Sequence, residues 1–374
     1  MGQIAHTNPR RAGNDDAPYV DQDGTECGNT PSNYANGGCS VSDPDYDYFY
    51  SAKEGGLCRA KKGSSEVDAI IPASSLSSTT RLEVNQLNKD GDTLYCVVWD
   101  GNRYAIRSAK TDGSDLAELY SVQGYDSGKG FYYQIHGLCI YDHTLYFILE
   151  SMTGASSLAE HYFDLYSMGE DGSIQQKLSG LELTGSATPY VAKDKVYFVY
   201  TNPGNANKSS GGSSILSENL DGSDQETIYT CSLAFINGNI ILQDGSIYVL
   251  ENGLAASSSS NYEYQLTRMD PSGGNQSVLL SDSISARSYV GLAGIARDTI
   301  YIGKYGDGVL SSFKTVPLAG GDPSDVDVDF TGINAKLMNA CDCLLVYGTD
   351  TAAASGARVA RIGFDGTTYR QLIS

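Results

Sequence analysis

Asp142-His-Thr-Leu-Tyr146-Phe147 places a polar turn directly before a strand that carries an aromatic pair, and the same device recurs along the chain. It returns as Asp45-Tyr-Asp-Tyr48-Phe49, Asp92-Thr-Leu-Tyr95-Cys96, Asp194-Lys-Val-Tyr197-Phe198, Gly245-Ser-Ile-Tyr248-Val249, Asp298-Thr-Ile-Tyr301-Ile302 and Asp342-Cys-Leu-Leu345-Val346. From residue 48 to residue 345 the spacings are 47, 51, 51, 51, 53 and 44. Between these motifs lies a second one, a short strand that runs into a glycine turn. Examples are Lys62-Gly-Ser, Asp112-Gly-Ser-Asp115, Asp171-Gly-Ser, Asp221-Gly-Ser-Asp224, Ser272-Gly-Gly, Ala319-Gly-Gly-Asp322 and Asp365-Gly-Thr. Asp-Gly is a strong hairpin signal, because glycine adopts the positive φ that a tight turn demands. Each unit therefore reads as four antiparallel strands, A to D. That is the pattern of a β-propeller blade. The fold expected is all-β, one propeller of seven blades, with six as the alternative. An open solenoid or two stacked sandwiches explain the period less well.

The domain expected runs from residue 30 to 374, with residues 30–44 supplying the first strand A and residues 1–29 forming a polar tail. The chain of 374 residues carries 45 acidic and 25 basic side chains, a net charge of −20. Phosphate binding needs clustered Lys and Arg, so nucleic acid is an unfavoured partner. Anionic membrane surfaces are unfavoured for the same reason. No apolar run is long enough for a transmembrane helix, so no direct membrane insertion is expected. The first thirty residues lack the apolar region of a signal peptide. An exported or cell-surface protein that has lost its signal is the expectation, with a cytoplasmic one as the alternative.

Asp164-Leu-Tyr-Ser-Met-Gly-Glu-Asp-Gly-Ser173, Gln265-Leu-Thr-Arg-Met-Asp270 and the opening Gly28-Asn-Thr-Pro-Ser-Asn-Tyr-Ala-Asn-Gly-Gly38 resemble the DUF5050-type bacterial propellers. Those are related to the YWTD propellers of the low-density lipoprotein receptor family. The resemblance spans residues 28–374. It departs in lacking a Tyr-Trp-Thr-Asp run and in showing seven units where six are usual. It implies an exported or surface-attached binding domain and supplies no catalytic residues.

In such a blade the A–B and C–D turns share one face, and the B–C and D–A connections share the other. The irregular segments, 150–161, 201–214, 251–262 and 348–357, are all B–C loops, and variable loops on a rigid scaffold commonly bind. On that face the starts of the A strands bring Tyr34, Arg81, Tyr133, His136, Tyr190, Arg287 and Tyr289 toward the central channel. Tyr offers a flat apolar face and one polar tip, which suits glycans, peptides and protein partners. These seven are the expected ligand-binding residues. His136 is the one histidine placed toward the channel, and His143 reads as surface.

Catalytic motifs are absent. No HExxH or Gly-x-Ser-x-Gly is present, and Ser127-Gly-Lys-Gly130 lacks the remainder of a phosphate loop. Asp43-Pro-Asp-Tyr-Asp47 with Glu54 copies part of a calcium loop, but Tyr48 stands where that loop needs Gly. Ca²⁺ is thus the only cofactor considered, and no metal site is assigned. Asp325-Val-Asp-Val-Asp329 reads as a charged edge strand. The eight cysteines read mainly as buried thiols, with Cys39–Cys341 the bridge to look for, since the first and last blades adjoin on closure.

The function expected is a non-enzymatic, monomeric binding propeller for a protein, glycan or peptide. The alternative is a hydrolase, lyase or lactonase with its site at the channel mouth and a divalent metal.

Overall fold

The computed structural model describes residues 19–373 except 21–25, 80, 142, 155–158, 170–171, 185, 193–194, 202–211, 234, 237–239, 255–260, 286–287, 297, 307–308, 328–331, 340–342, 351–356 and 364–368. It is an all-β propeller of four-stranded antiparallel blades. The second repeat is typical: Glu83–Asp90, Thr93–Trp99, Arg103–Lys110 and Ala117–Gln123 follow one another as an up-and-down meander. Strands A of the other repeats are Ser40–Ser42, Phe131–Tyr141, Ser186–Val191, Ile241–Gln243, Ser288–Ala296 and Gly332–Asn339. No helix among the described residues is long and apolar enough to cross a membrane.

Counted as hydrogen-bonded sheets, the blades number six, the alternative to the seven expected. The reason is local. Strand D of the sixth repeat, Ser324–Asp327, covers only Ser312 to Thr315 of its neighbour. The uncovered Val309 pairs with Ile333, the start of the next meander. The sixth and seventh repeats thereby share one eight-stranded sheet.

Strand alternation sends one set of side chains into the gap between adjacent meanders. Val41, Tyr48 and Leu57 of the first repeat pack with Val84, Leu94 and Val98 of the second. Phe147 and Ile135 of the third meet Val97 and Ile106. Phe163 meets Phe198 of the fourth, with ring centres 5.2 Å apart. The ring closes where Phe49, Cys58 and Ala60 pack against Leu345 and Val359. Each fully buried Val, Leu, Ile or Phe side chain among these contributes about 1.5–3 kcal/mol.

A buried ion pair fastens the same seam. Asp47 is 0% exposed and faces Arg361, whose Nε donates to Oδ2 at 2.8 Å. Arg361 also donates to the carbonyls of Ala60, Lys61 and Ser64. Ser42 Oγ and Lys62 complete the shell around Asp47. The calcium-like acidic run is therefore divided. Asp47 turns inward to these cations, while Asp43 Oδ1 accepts the amides of Asp45 and Tyr46 and so caps the turn. Cys39 is a thiol in the seam cluster and forms no bridge. Cys341 lies outside the described residues.

Residues 30–44 do not form one strand. Thr30 begins a single helical turn, Pro31–Ala35: its Oγ1 accepts the amide of Asn33 at 3.2 Å, and its carbonyl accepts that of Tyr34 at 2.9 Å. Thr before a Pro at the first helical position is an ordinary helix start. This turn lies inside the ring. Before it, Glu26–Gly28 pairs with the inner edge of the second blade through Cys27–Asp90 and Gly28–Lys89. After it, the carbonyls of Gly37 and Gly38 accept the amides of Gln86 and Leu87, both at 2.8 Å. Tyr34 donates to Gly137 O at 2.5 Å, and Asn36 donates to Ala293 O at 2.6 Å. One segment thus bonds to the inner strands of the second, third and sixth repeats and plugs the channel. Those strands carry bulges at 85–88, 136–139 and 292–294, which open the inner wall to it.

The Asp-Gly turns carry positive φ at Gly113 and Gly222, and again two residues later at Asp115 and Asp224. Gly113 also has no room for a side chain, since a Cβ there would sit 2.0 Å from Ile70 O of the preceding blade. Gly172 has the same φ sign with nothing within 4 Å. Gly172→Ala is expected to cost about 1–2 kcal/mol from backbone strain alone. Gly113→Ala adds a backbone collision, so its denaturation midpoint should fall clearly further; equal midpoints would refute the contact. Arg361→Met takes the buried guanidinium from Asp47 and leaves it Lys62 and Ser42, and should cost up to about 3–5 kcal/mol in denaturant unfolding. A loss below about 1 kcal/mol, the range of a surface pair, would show that the seam does not depend on it.

Candidate functional site

The structure distributes the seven expected residues between two ends of the channel. Tyr190 closes its strand A, so it lies near the A–B turns, opposite the long loops. Tyr34, on the plug, meets it edge-to-face at 4.9 Å. Both are walls of a cavity, and burial pushes both hydroxyls well above the ordinary tyrosine value. His136 and Tyr133 lie on the third repeat toward the B–C face. Tyr289 is exposed at the start of its strand and stacks flat on Tyr305 at 4.6 Å. Arg81 is exposed and lies against Gly101. Arg287 and most of the long-loop segments lie outside the described residues.

A carboxylate held between two histidines on the B–C face was only partly legible. His136 Nε2 sits 2.7 Å from Glu150 Oε2, and His161 Nδ1 sits 2.6 Å from Glu150 Oε1. They come from strands A, B and C of one blade, so the hairpin register sets their spacing. Glu150 is 4% exposed and His161 is 7% exposed. His161 Nε2 is buried with no hydrogen-bond partner among the described residues. Burial raises the Glu150 pKa, but the hydrogen bonds and charges of His136 and His161 outweigh it, and the net shift is downward. The signal in the sequence was a lone carboxylate ending the apolar run Tyr146 to Leu149.

Around this trio an aromatic surface spans the second and third blades. Trp99 stacks on Tyr104 at 4.4 Å, and Tyr125 meets Tyr132 at 4.7 Å. Phe131 bridges Tyr133 and Tyr162 at 6.4 and 6.1 Å. Tyr125 is 51% and Tyr132 38% exposed, so both rings present surface to solvent. Burial pushes the Tyr104 hydroxyl up to about 12, aided by the charges of Glu83 and Glu150.

Glu251, fully buried, accepts the amides of Ser232 and Leu233 at 2.7 and 2.9 Å, the Cys231 thiol and the Tyr229 hydroxyl. Its lone pairs are spent on pinning a D–A connection. Asp325 pairs with Lys304 at 2.8 Å, as a charged edge would. Among the described residues no group of three or more His, Cys, Asp or Glu is arranged to hold a metal ion.

Comparison with known proteins places the chain by shape. No family model matches it and no curated protein matches it, so the resemblance to the DUF5050-type and YWTD propellers rests on the quoted residues. Solved structures do match. A puromycin hydrolase mutant in complex with a ligand aligns at TM-score 0.59 and 12% identity over 92% of this chain. This chain spans 55% of that one. A prolyl endopeptidase aligns at 0.56 and 9% identity, covering 91% of this chain and 50% of its own. An oligogalacturonate lyase from Vibrio parahaemolyticus aligns at 0.54 and 9% identity, covering 92% of this chain and 96% of its own. At such identities these likenesses establish the propeller fold.

The lowered Glu150 pKa fixes the sign of a pH effect. The unfolded chain binds the extra proton first, at the ordinary glutamate value of about 4.3. The stability due to Glu150 is thus complete above that value and is lost as pH falls through its lower folded value. Between pH ~5 and ~3 the wild type should lose stability more steeply than Glu150→Gln, as read from denaturation midpoints. Parallel slopes would contradict the shift.

Proposed function

We propose that the chain is an extracytoplasmic binding propeller that takes a glycan or peptide segment on the aromatic surface of its second and third blades. The observation that carries this is the exposed Tyr125–Tyr132 pair, set beside stacked Trp99–Tyr104 on the B–C face. Flat rings with polar tips at solvent are suited to sugar faces and to peptide side chains. The plug favours an off-axis site, because Tyr34 and Asn36 already occupy the middle of the channel. The −20 charge favours neutral or cationic partners over anionic ones.

A second reading has one observation behind it. Glu150 holds His161 through Nδ1 and leaves Nε2 unpartnered among the described residues. A carboxylate that orients an imidazole in this way is a general-base arrangement. It supports a hydrolase or lyase acting beside the aromatic surface. The depth of His161 weighs against it, since a base must reach its substrate.

Binding of wild type, Tyr132→Ala and Tyr125→Ala to arrays of neutral oligosaccharides and of peptides separates the readings. Loss of one stacked ring should weaken a hit about three- to tenfold. A hit that both variants bind at wild-type strength would place the site elsewhere. Turnover of a bound probe that disappears in His161→Gln would establish the enzyme.

A further inference from the structure

Beside the exposed Tyr125–Tyr132 pair, the second and third blades face each other with one aromatic wall apiece. Residues directly opposite on neighbouring strands share one side of a sheet. Glu83 lies opposite Trp99, and Trp99 lies opposite Tyr104, so one row crosses three strands of the second blade. That side turns toward the third blade, since Val97 and Tyr104 pack in one cluster with Ile135 and Tyr133. On the third blade Tyr133 lies opposite Ser151, and Ser151 lies opposite Tyr162. Phe131 touches both tyrosines and completes the second wall.

Each wall carries an exposed carboxylate. Glu83 begins the Trp99 row, and its charge reaches the Tyr104 hydroxyl together with that of Glu150. Glu160 begins its strand two residues before Tyr162 and accepts the Tyr162 hydroxyl at 2.9 Å. Neither Glu83 nor Glu160 pairs with a cation among the described residues. The cations nearby are mostly held elsewhere. Arg103 is held by Asp100 and Glu118, Lys129 lies 3.9 Å from Asp126, and His136 is on Glu150. Arg81 is the exception, exposed along Gly101 in the turn that follows Trp99.

Rings flanked by two carboxylates favour a cationic occupant. A neutral sugar gains from the rings and can donate hydroxyls to Glu83 and Glu160, but it leaves their charge in place. Arginine answers both features, because its planar guanidinium stacks on aromatic faces and forks to carboxylates. The −20 charge of the molecule also steers a basic segment toward it.

We propose that the cleft between the second and third blades binds an arginine-bearing peptide segment, its guanidinium groups lying on the rings and pairing with Glu83 and Glu160. This rests on the reading of the aromatic surface as the binding site, and within it selects the peptide over the glycan.

Three probes test the choice by calorimetry on the full chain: a capped peptide with two arginines, the same peptide with citrulline in their place, and a glucosamine oligomer. Citrulline keeps the shape and removes the charge. The arginine peptide should bind saturably and about tenfold more tightly than the citrulline one, the combined worth of two exposed ion pairs. That advantage should shrink as salt rises from about 0.05 to 0.5 M. Glu83→Gln and Glu160→Gln should each weaken the arginine peptide about threefold and leave the citrulline peptide unchanged. Both sites are exposed, and Gln at 160 still accepts the Tyr162 hydroxyl, so both variants should fold. Arg81→Gln should strengthen the arginine peptide, a change that a merely structural role would not produce. No saturable binding of the arginine peptide, equal affinity for arginine and citrulline, or tighter binding of the glucosamine oligomer would each overturn the proposal. If the glucosamine oligomer binds more tightly and loses affinity in Tyr132→Ala, the aromatic surface stands as the site and only the peptide falls. If the arginine peptide binds Tyr125→Ala and Tyr132→Ala at wild-type strength, the surface itself falls.

Discussion

A propeller has no free-standing blade. Each meander buries one face against the next, so the first must meet the last across more than three hundred residues. The contact between Asp47 and Arg361, 314 positions apart, sits in that seam. The apolar packing of Phe49 and Ala60 with Leu345 and Val359 supplies most of the favourable free energy there, but apolar contact is tolerant of small slips. The ion pair is not. A closure shifted by one residue would bury Asp47 without its guanidinium, at a cost of several kcal/mol. Arg361 further reads three carbonyls of the first blade, so it fixes the angle of approach as well as the charge balance.

The plug is the second organising element. A segment that enters along the second blade, turns through Pro31–Ala35 and leaves into Ser40–Ser42 divides the channel. Gly38 fits only because it has no side chain: a Cβ there would lie 2.8 Å from Gln86 Cα. With the axis filled, two separate features flank the plug. One is the off-axis aromatic face at the B–C end, held in shape by Glu150 and its two histidines. The other is the tyrosine-walled cavity at the A–B end, which the plug itself completes.

Most of the fold was legible because its signals are local. Asp112-Gly113-Ser114 writes its turn into three residues: Asp112 Oδ1 accepts both the amide and the hydroxyl of Ser114, and Gly113 takes the positive φ. Tyr146 and Tyr197 mark strand B because a half-buried pleat favours aromatics. The sheet count was not legible, because the Val309–Ile333 pairing follows from how little of its neighbour Ser324–Asp327 covers. Thr30-Pro31 is a helix start, which the strand A expected over residues 30–44 left out. That error put Tyr34 on a strand at the wrong end of the channel. Asp47 and Arg361 were illegible for a different reason, since no local pattern announces a partner on the far side of a ring. His161 belongs to the same class. Its role depends on a hairpin register that brings strands B and C of one blade together around Glu150, and neither strand announces the other.

The account turns on which face recognises a ligand, and the chain carries its own reporter there. Trp99 is the single tryptophan, stacked on Tyr104 at the aromatic surface. Its emission during titration with an oligosaccharide or peptide that binds by calorimetry is the most direct measurement. A saturable change in Trp99 emission that tracks the calorimetric isotherm is the result this account predicts. Binding that leaves Trp99 emission unchanged would contradict it and move recognition away from the second and third blades.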